Sequence, residues 1–188
     1  MDRVGQPGAG PHREAVARPA PVEPPAAVVR FVSAADDLGL EVEPVVYPDG
    51  TKTAADAAAA IGCAVGAIVK SLVFIADDRP LLVLMSGDYR VSTALLAGAA
   101  AATTVRRATL DEARQHTGYA AGGTPPVGHP EPLAVLADRT LLRHHPVWAA
   151  AGTPTSVFAV DPERLAAIAG ARWVDVAEQS SSALEDGG

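Results

Sequence analysis

Ile68-Val69-Lys70-Ser71-Leu72-Val73-Phe74-Ile75, then Asp77-Asp78-Arg79-Pro80, then Leu81-Leu82-Val83-Leu84-Met85 is the stretch that decides the fold of this chain. Two apolar runs rich in β-branched and aliphatic residues, separated by a short charged turn, read as a β-hairpin. Strand alternation places Ile68, Lys70 and Leu72 on one face and Val69, Ser71 and Val73 on the other. A lysine in the middle of such a strand is costly unless its ammonium reaches solvent or an anion.

Helix and strand signals interleave on both sides of the hairpin. Upstream, Ala26 to Leu38 has helical spacing, with Val28, Phe31, Val32, Ala35 and Leu38 on one side and Gly39 as its stop. Val42 to Tyr47 reads as a strand closed by Pro48-Asp49-Gly50. Thr53 with Asp56 forms a capping box for an alanine-rich helix ending at Gly62. Downstream, a short helix begins at Ser92 and a strand at Val105, and Thr109 with Glu112 is a second capping box. Leu133 to Leu136 and Ser156 to Val160 are strand-like, Asp161-Pro162 opens a helix to about Ala169, and Arg172 to Val176 closes as a strand. The pattern is α+β.

The 188 residues suit one domain. The proline-rich residues 1–25 and residues 181–188 read as disordered tails around a domain at 26–180. Neither a signal peptide nor a membrane span is expected. The net charge is −7, and between 26 and 180 there are 17 acidic and 12 basic residues. An acidic chain gains little from counterion release, so coating of long nucleic acid is excluded while contact with a short end stays open. One cysteine, Cys63, rules out a disulfide framework and any multi-cysteine zinc site. It reads as a small buried thiol.

Familiar catalytic signatures are absent: there is no Gly-x-Ser-x-Gly elbow, Walker loop or His-Glu-x-x-His. His144 and His145 are adjacent and point apart in either regular element, so no metal site is expected. Two features remain. The chain has thirteen arginines but only two lysines, Lys52 and Lys70, so Lys70 stands out, with phosphate a natural guest for a compact ammonium and an edge lysine snorkelling to solvent as the alternative. The second feature is Gly118-Tyr119-Ala120-Ala121-Gly122-Gly123-Thr124-Pro125-Pro126-Val127-Gly128-His129. Four glycines and two prolines in twelve residues make a shaped loop that can turn N–H groups towards a carbonyl. Arg106-Arg107 reads as a solvated pair, with contact to an anionic nucleic-acid end as the alternative. Asp88, Arg90 and Asp138 read as turn and surface residues, with orientation of loops around a cleft as the alternative.

The lysine strand, Leu82-Val83-Leu84 with Gly87-Asp88-Tyr89-Arg90-Val91, then Thr117-Gly118-Tyr119, Gly122-Gly123, Pro126 and Gly128 resemble, in order and spacing, the YbaK / prolyl-tRNA synthetase editing-domain family. The resemblance runs from about residue 27 to 177. It implies a curved mixed sheet, partly barrel-like and flanked by helices, and a trans-editing deacylase that hydrolyses the ester joining a wrong amino acid to the 3′ end of a tRNA. It implies catalytic roles for Lys70, Gly122 and Gly123, with Lys70 at the terminal adenosine's phosphate and sugar and the two glycines polarising the ester carbonyl. Ser71, Thr124, Pro125, Pro126 and Gly128 are then expected around the substrate. No metal or cofactor is expected, and the attacking group is a positioned water or a group of the substrate itself.

The same resemblance implies a cytoplasmic location and a tRNA end as partner, with no DNA or membrane partner; the acidity of the domain adds the expectation that a synthetase or elongation factor assists. The family branch that clears cysteine from proline tRNA carries a Ser-Gly-Gly-Lys-Arg-Gly type segment near its late strands. Here Ala149-Ala150-Ala151-Gly152-Thr153-Pro154-Thr155-Ser156-Val157-Phe158 stands in that place, so cysteine specificity does not carry over and alanine or another small residue is open. Two other readings compete with the enzyme: a non-catalytic module holding an aminoacyl-adenylate, nucleotide or synthetase, and a small-molecule regulator indifferent to Lys70.

Overall fold

The computed structural model describes residues 23–47 and 53–178. The expected turn at Pro48-Asp49-Gly50, nearly all of the N-terminal tail and the whole C-terminal tail lie outside the described residues. In chain order the elements are α1 (Ala26–Asp37), β1 (Val45–Val46), α2 (Ala54–Ile61), β2 (Val69–Ala76), β3 (Arg79–Ser86), α3 (Thr93–Ala100), β4 (Val105–Arg107), α4 (Leu110–Thr117), β5 (Ala134–Asp138), β6 (Val147–Ala150), β7 (Ser156–Val160), α5 (Pro162–Ile168) and β8 (Arg172–Val174), with 3-10 turns at Val65–Ala67 and Arg139–Arg143.

The hairpin forms as read. Asp77 and Asp78, both at positive φ (44° and 65°), make the two-residue connection whose twist suits paired strands. Asp77 offsets that unfavourable backbone by taking the N–H groups of Thr103 and Thr104 at 2.8–3.1 Å, and these bonds hold its carboxyl below the usual range. β2 and β3 pair along all eight residues, Val69↔Ser86 to Ala76↔Arg79.

Both faces of this hairpin are buried, which is why its sequence is nearly continuously apolar. Val69, Val73, Leu82 and Leu84 join a core with Phe31 and Ala35 of α1, Tyr119, and Phe158 of β7. Phe74, Leu81, Val83 and Met85 face a second core with Leu96 of α3, Leu136 and Val176. The five-stranded sheet has the order β4-β2-β3-β5-β8, antiparallel on the β2 side and parallel at β3–β5–β8. A separate sheet, β1-β7-β6, lies beyond, and a parallel bridge between Ile68 and Trp148 links it to the start of β2. The five-stranded sheet is mixed, the small one antiparallel, and the helix-flanked pair does not close into a barrel.

Both capping boxes are present, Thr53 with Asp56 and Thr109 with Glu112. Asp161 caps α5 with Pro162 behind it. The expected strand from Val42 to Tyr47 shrinks to Val45–Val46 against β7, because Pro44 has no N–H to donate to a ladder. β6 was not expected: Val147-Trp148-Ala149-Ala150 is half alanine, a poor strand signal. No helix among the described residues is long and apolar enough to cross a membrane.

Asp138 departs from its surface reading. It is 1% exposed, and each carboxylate oxygen takes two donors. Oδ1 accepts the Thr140 N–H at 2.9 Å and its hydroxyl at 2.5 Å. Oδ2 accepts the N–H groups of Val176 and Ala177 at 2.7 and 3.0 Å. One buried side chain therefore ties the end of β5 to the segment after β8. Asp138→Ala strands three backbone N–H groups, and we expect it to cost about 2–4 kcal/mol, read as a lower urea midpoint at unchanged slope. An unshifted midpoint would show that water replaces the carboxylate.

Candidate active site

Along the edge of β2 that faces away from β3, β4 covers only Phe74 to Ala76. The rest of that edge floors a cleft of about 860 Å³. α2 contributes Thr53, Ala54 and Ala57 to its walls, the β4–α4 segment Arg107 to Leu110 and Ala113, the glycine loop Ala121, Gly122 and Thr124, and the small sheet Trp148, Ala150, Pro154, Thr155 and Val157. The pairing of Ala76 with Arg79 across a two-residue turn makes the even-numbered residues of β2 bond to β3. The N–H and C=O of Ser71 therefore point out of the open edge into the cleft. The Ser71 hydroxyl is buried there without a partner.

Lys70 is half-buried on this floor, neither snorkelling freely nor lost in the core. Its Nζ donates to the carbonyl of Gly87 at 2.9 Å and to that of Tyr89. An ammonium has three donors, so one remains for a ligand. Burial pulls its pKa below the ordinary lysine value; nearby Asp88 opposes this, and Arg107 and Arg90 add to it. The surface arginine pair divides. Arg106 grips Glu112 with both nitrogens at 2.8 and 2.7 Å and holds that carboxyl at about 2, whereas Arg107 turns to the cleft wall. Among the described residues the positive charge lining the cleft comes from Lys70 and Arg107, in a chain of net charge −7.

No helix or strand lies between Thr117 and Ala134, as the glycines and prolines require. Gly122 sits at φ 82°. Gly123 packs so closely that a Cβ there would meet the backbone of Thr153 at 2.7 Å and Pro154 at 2.9 Å. The two glycines, expected to act as a pair, differ in their donors. The Gly123 N–H is already given to the Ala120 carbonyl at 3.0 Å, while the N–H groups of Gly122 and Thr124 have no protein acceptor among the described residues. Pro125 and Pro126 are buried beneath the loop and do not line the cleft. Gly128, at φ 84°, lies against Ala34 and the Tyr119 hydroxyl rather than in the cleft. The structure therefore brings Lys70, Ser71, Gly122 and Thr124 to one cavity and sets Gly123, Pro125, Pro126 and Gly128 behind them.

Two residues were not marked by sequence reasoning. His129 donates from Nε2 to the Pro125 carbonyl at 3.0 Å, with its ring edge-on to Tyr119 at 6.3 Å. It ties the far side of the loop, and burial pushes its pKa below the ordinary imidazole value. Trp148 lines the cleft; its signal was there as one of only two tryptophans, masked by the alanines beside it. Cys63 is half-buried rather than a core thiol, and burial raises its pKa. Among the described residues no three His, Cys, Asp or Glu side chains stand together as a metal site requires.

Residues 48–168 match the model of the aminoacyl-tRNA editing domain family. A solved structure, described as that of a candidate trans-editing enzyme for prolyl tRNA synthetase, superposes with a TM-score of 0.80 at 39% identity, covering 84% of this chain and 100% of that one. The proline–tRNA ligase of Streptococcus thermophilus is 38% identical over 99 residues, 53% of this chain and 16% of the ligase. That of Levilactobacillus brevis is 33% identical over 99 residues, 53% of this chain and 17% of the ligase. The chain thus spans about a sixth of the length of these relatives.

His129 makes the loop sensitive to acid. Its folded pKa lies below its unfolded one, so the unfolded chain binds more protons and stability is complete above about 6.5 and declines as pH falls below it. We expect the thermal midpoint to drop over that interval in the wild type and to drop less in His129→Phe. Parallel pH profiles would show that the ring does not titrate on unfolding.

Proposed function

The chain belongs to the aminoacyl-tRNA editing domain family, and from that premise we propose that it hydrolyses the ester between a misattached small amino acid and the terminal ribose of a tRNA. Cysteine or alanine on proline tRNA are the first substrates to test. The observation that carries this reading is the pairing of an ammonium that keeps one free donor, on Lys70, with unpartnered N–H groups at Gly122 and Thr124 across the same cleft.

An aminoacyl ester is already activated, so positioning and a few fixed dipoles are enough to accelerate its hydrolysis. Water adds to the ester carbonyl carbon. The oxygen that becomes negative is held by the N–H groups of Gly122 and Thr124. Gly123, whose N–H stays with Ala120, shapes the turn and is not a second donor. The bond from carbon to the ribose oxygen then breaks, and the proton lost by the attacking water passes to that oxygen, leaving a free amino acid and an intact tRNA end. Lys70 holds the phosphate and sugar of the terminal nucleotide, and Arg107 adds to the attraction at the mouth.

The small side chains on the cleft walls, Ala108, Ala113, Ala121 and Ala150, and the lack of a carboxylate among the described residues that line the cleft favour a small uncharged aminoacyl group. The buried Ser71 hydroxyl offers it one polar contact. The acidity of the rest of the surface favours delivery of the tRNA by a synthetase or elongation factor over capture of free tRNA. The same acidity suits a non-catalytic module that relies on such a partner, and turnover separates the two readings.

A panel of proline tRNAs charged with cysteine, alanine, serine or proline tests the proposal. The wild type should deacylate at least one mischarged species and spare prolyl-tRNA. Lys70→Ala should lower kcat/KM by about 100-fold or more, the scale of a lost transition-state or anchoring contact. Gly123→Ala should do the same by displacing the loop from Thr153. Lys70→Ala working at the wild-type rate on every substrate, or a wild type no faster than buffer, would overturn it.

A further inference from the structure

The small sheet carries one large aromatic side chain that neither core uses. Along β6 the residues alternate: Val147 and Ala149 are fully buried against the core that holds Phe31 and Phe158, whereas Trp148 and Ala150 turn to the cleft. The cross-strand neighbour of Ala150 on that face is Val157. Trp173 packs on the edge of the Phe31 core, but Trp148 belongs to neither hydrophobic cluster. It is the sole aromatic residue among the described residues lining the cleft. It is half-buried, and its indole N–H meets no protein acceptor among the described residues. In a chain with 4% aromatic residues, on a wall otherwise built of Ala, Thr, Val and Pro, a large apolar ring left partly in water is a surface waiting for a flat partner.

Its position says which partner. The Ile68–Trp148 bridge sets the indole beside the first residue of the cleft floor. Lys70 leans towards the same end: its Nζ is held by Gly87, which follows the Ser86 paired with Val69 and so stands level with Ile68. The loop that offers the Gly122 N–H lies at the other end of the small sheet, against Pro154 in the turn between β6 and β7. The cleft thus holds an aromatic ring and an ammonium towards one end and the glycine loop towards the other. A terminal nucleotide esterified on its ribose divides likewise, with base and phosphate set apart from the ester carbonyl.

We propose that the face of the Trp148 indole is the stacking platform for the terminal nucleobase of the tRNA. The proposal rests on the deacylase reading above and adds to it the group that holds the base. Stacking on an aromatic ring is tolerant of base identity, because every base has a π-face. The platform therefore supplies affinity and alignment of the ester with the loop, and leaves tRNA identity to other contacts.

Adenosine 5′-monophosphate is the probe, titrated against the full chain by tryptophan fluorescence. Wild type and Trp173→Phe should be quenched saturably, and Trp148→Phe should lose the quench while keeping most of the affinity, read by inhibition of deacylation. Trp148→Ala should weaken binding of the nucleotide and raise KM for the mischarged tRNA by about 5- to 100-fold, the range set by stacking one base, with a smaller change in kcat. A Trp148→Ala protein with unchanged nucleotide affinity and KM would overturn the proposal. So would one whose preference among aminoacyl groups changes while nucleotide binding does not, since the indole would then belong to the amino-acid pocket. Recovery by Trp148→Phe separates stacking from misfolding. If the wild type deacylates nothing, the deacylase reading fails, and calorimetric titration of the nucleotide into wild type and Trp148→Ala still decides the platform.

Discussion

The unequal pairing of β2 is the constraint on which the rest depends. One edge is bonded to β3 over its whole length, and the other is covered by β4 for only three residues. Both faces of the hairpin are buried, so the strand cannot shift or peel away, and its exposed peptide edge at Ser71 becomes a permanent feature of a cleft. A lysine on such a strand has to find acceptors, and the carbonyls of Gly87 and Tyr89, just past the end of β3, are the ones within reach. The fold therefore prepares the ammonium before any ligand arrives.

The charge of the molecule is organised around the same place. Arg106 is spent on Glu112, which also caps α4 through the Thr109 N–H. Arg107, the next residue along β4, points the other way because strand neighbours alternate. With Lys70 it makes a cationic cleft on an acidic protein, an arrangement suited to a short anionic end and unsuited to a long duplex. The glycine loop is held from behind by His129 on Pro125 and by the close contact of Gly123 with Thr153, so Gly122 and Thr124 stay at the cleft wall with little freedom to reorganise.

Local chemistry was legible where it decides conformation within a few residues. The hairpin, both capping boxes, the Asp161-Pro162 start of α5 and the irregular glycine loop all rest on contacts between near neighbours in sequence. Lys70 was visible as a charge in an apolar run. What was not legible depended on partners far along the chain. Asp138 is a buried tie only because Val176 and Ala177, 38 and 39 residues later, aim their N–H groups at it. Trp148 lies in a strand that exists because β7 pairs with it, since its alanines carry no strand signal. Arg106 and Arg107 read alike until β4 turns them to opposite sides.

By itself the sequence determined the α+β class, the hairpin at its centre, the helix starts, and the two features worth testing first, a lone strand lysine and a shaped glycine loop. The tertiary structure alone decided that these meet across one cleft, that the Gly123 N–H is taken by Ala120 while that of Gly122 has no acceptor among the described residues, and that a tryptophan lines the same cleft. The physical reason is range. Caps, turns and alternation are energies between residues a few positions apart, whereas a cleft is made by which strand edge is left uncovered, and that depends on how distant segments compete to pack.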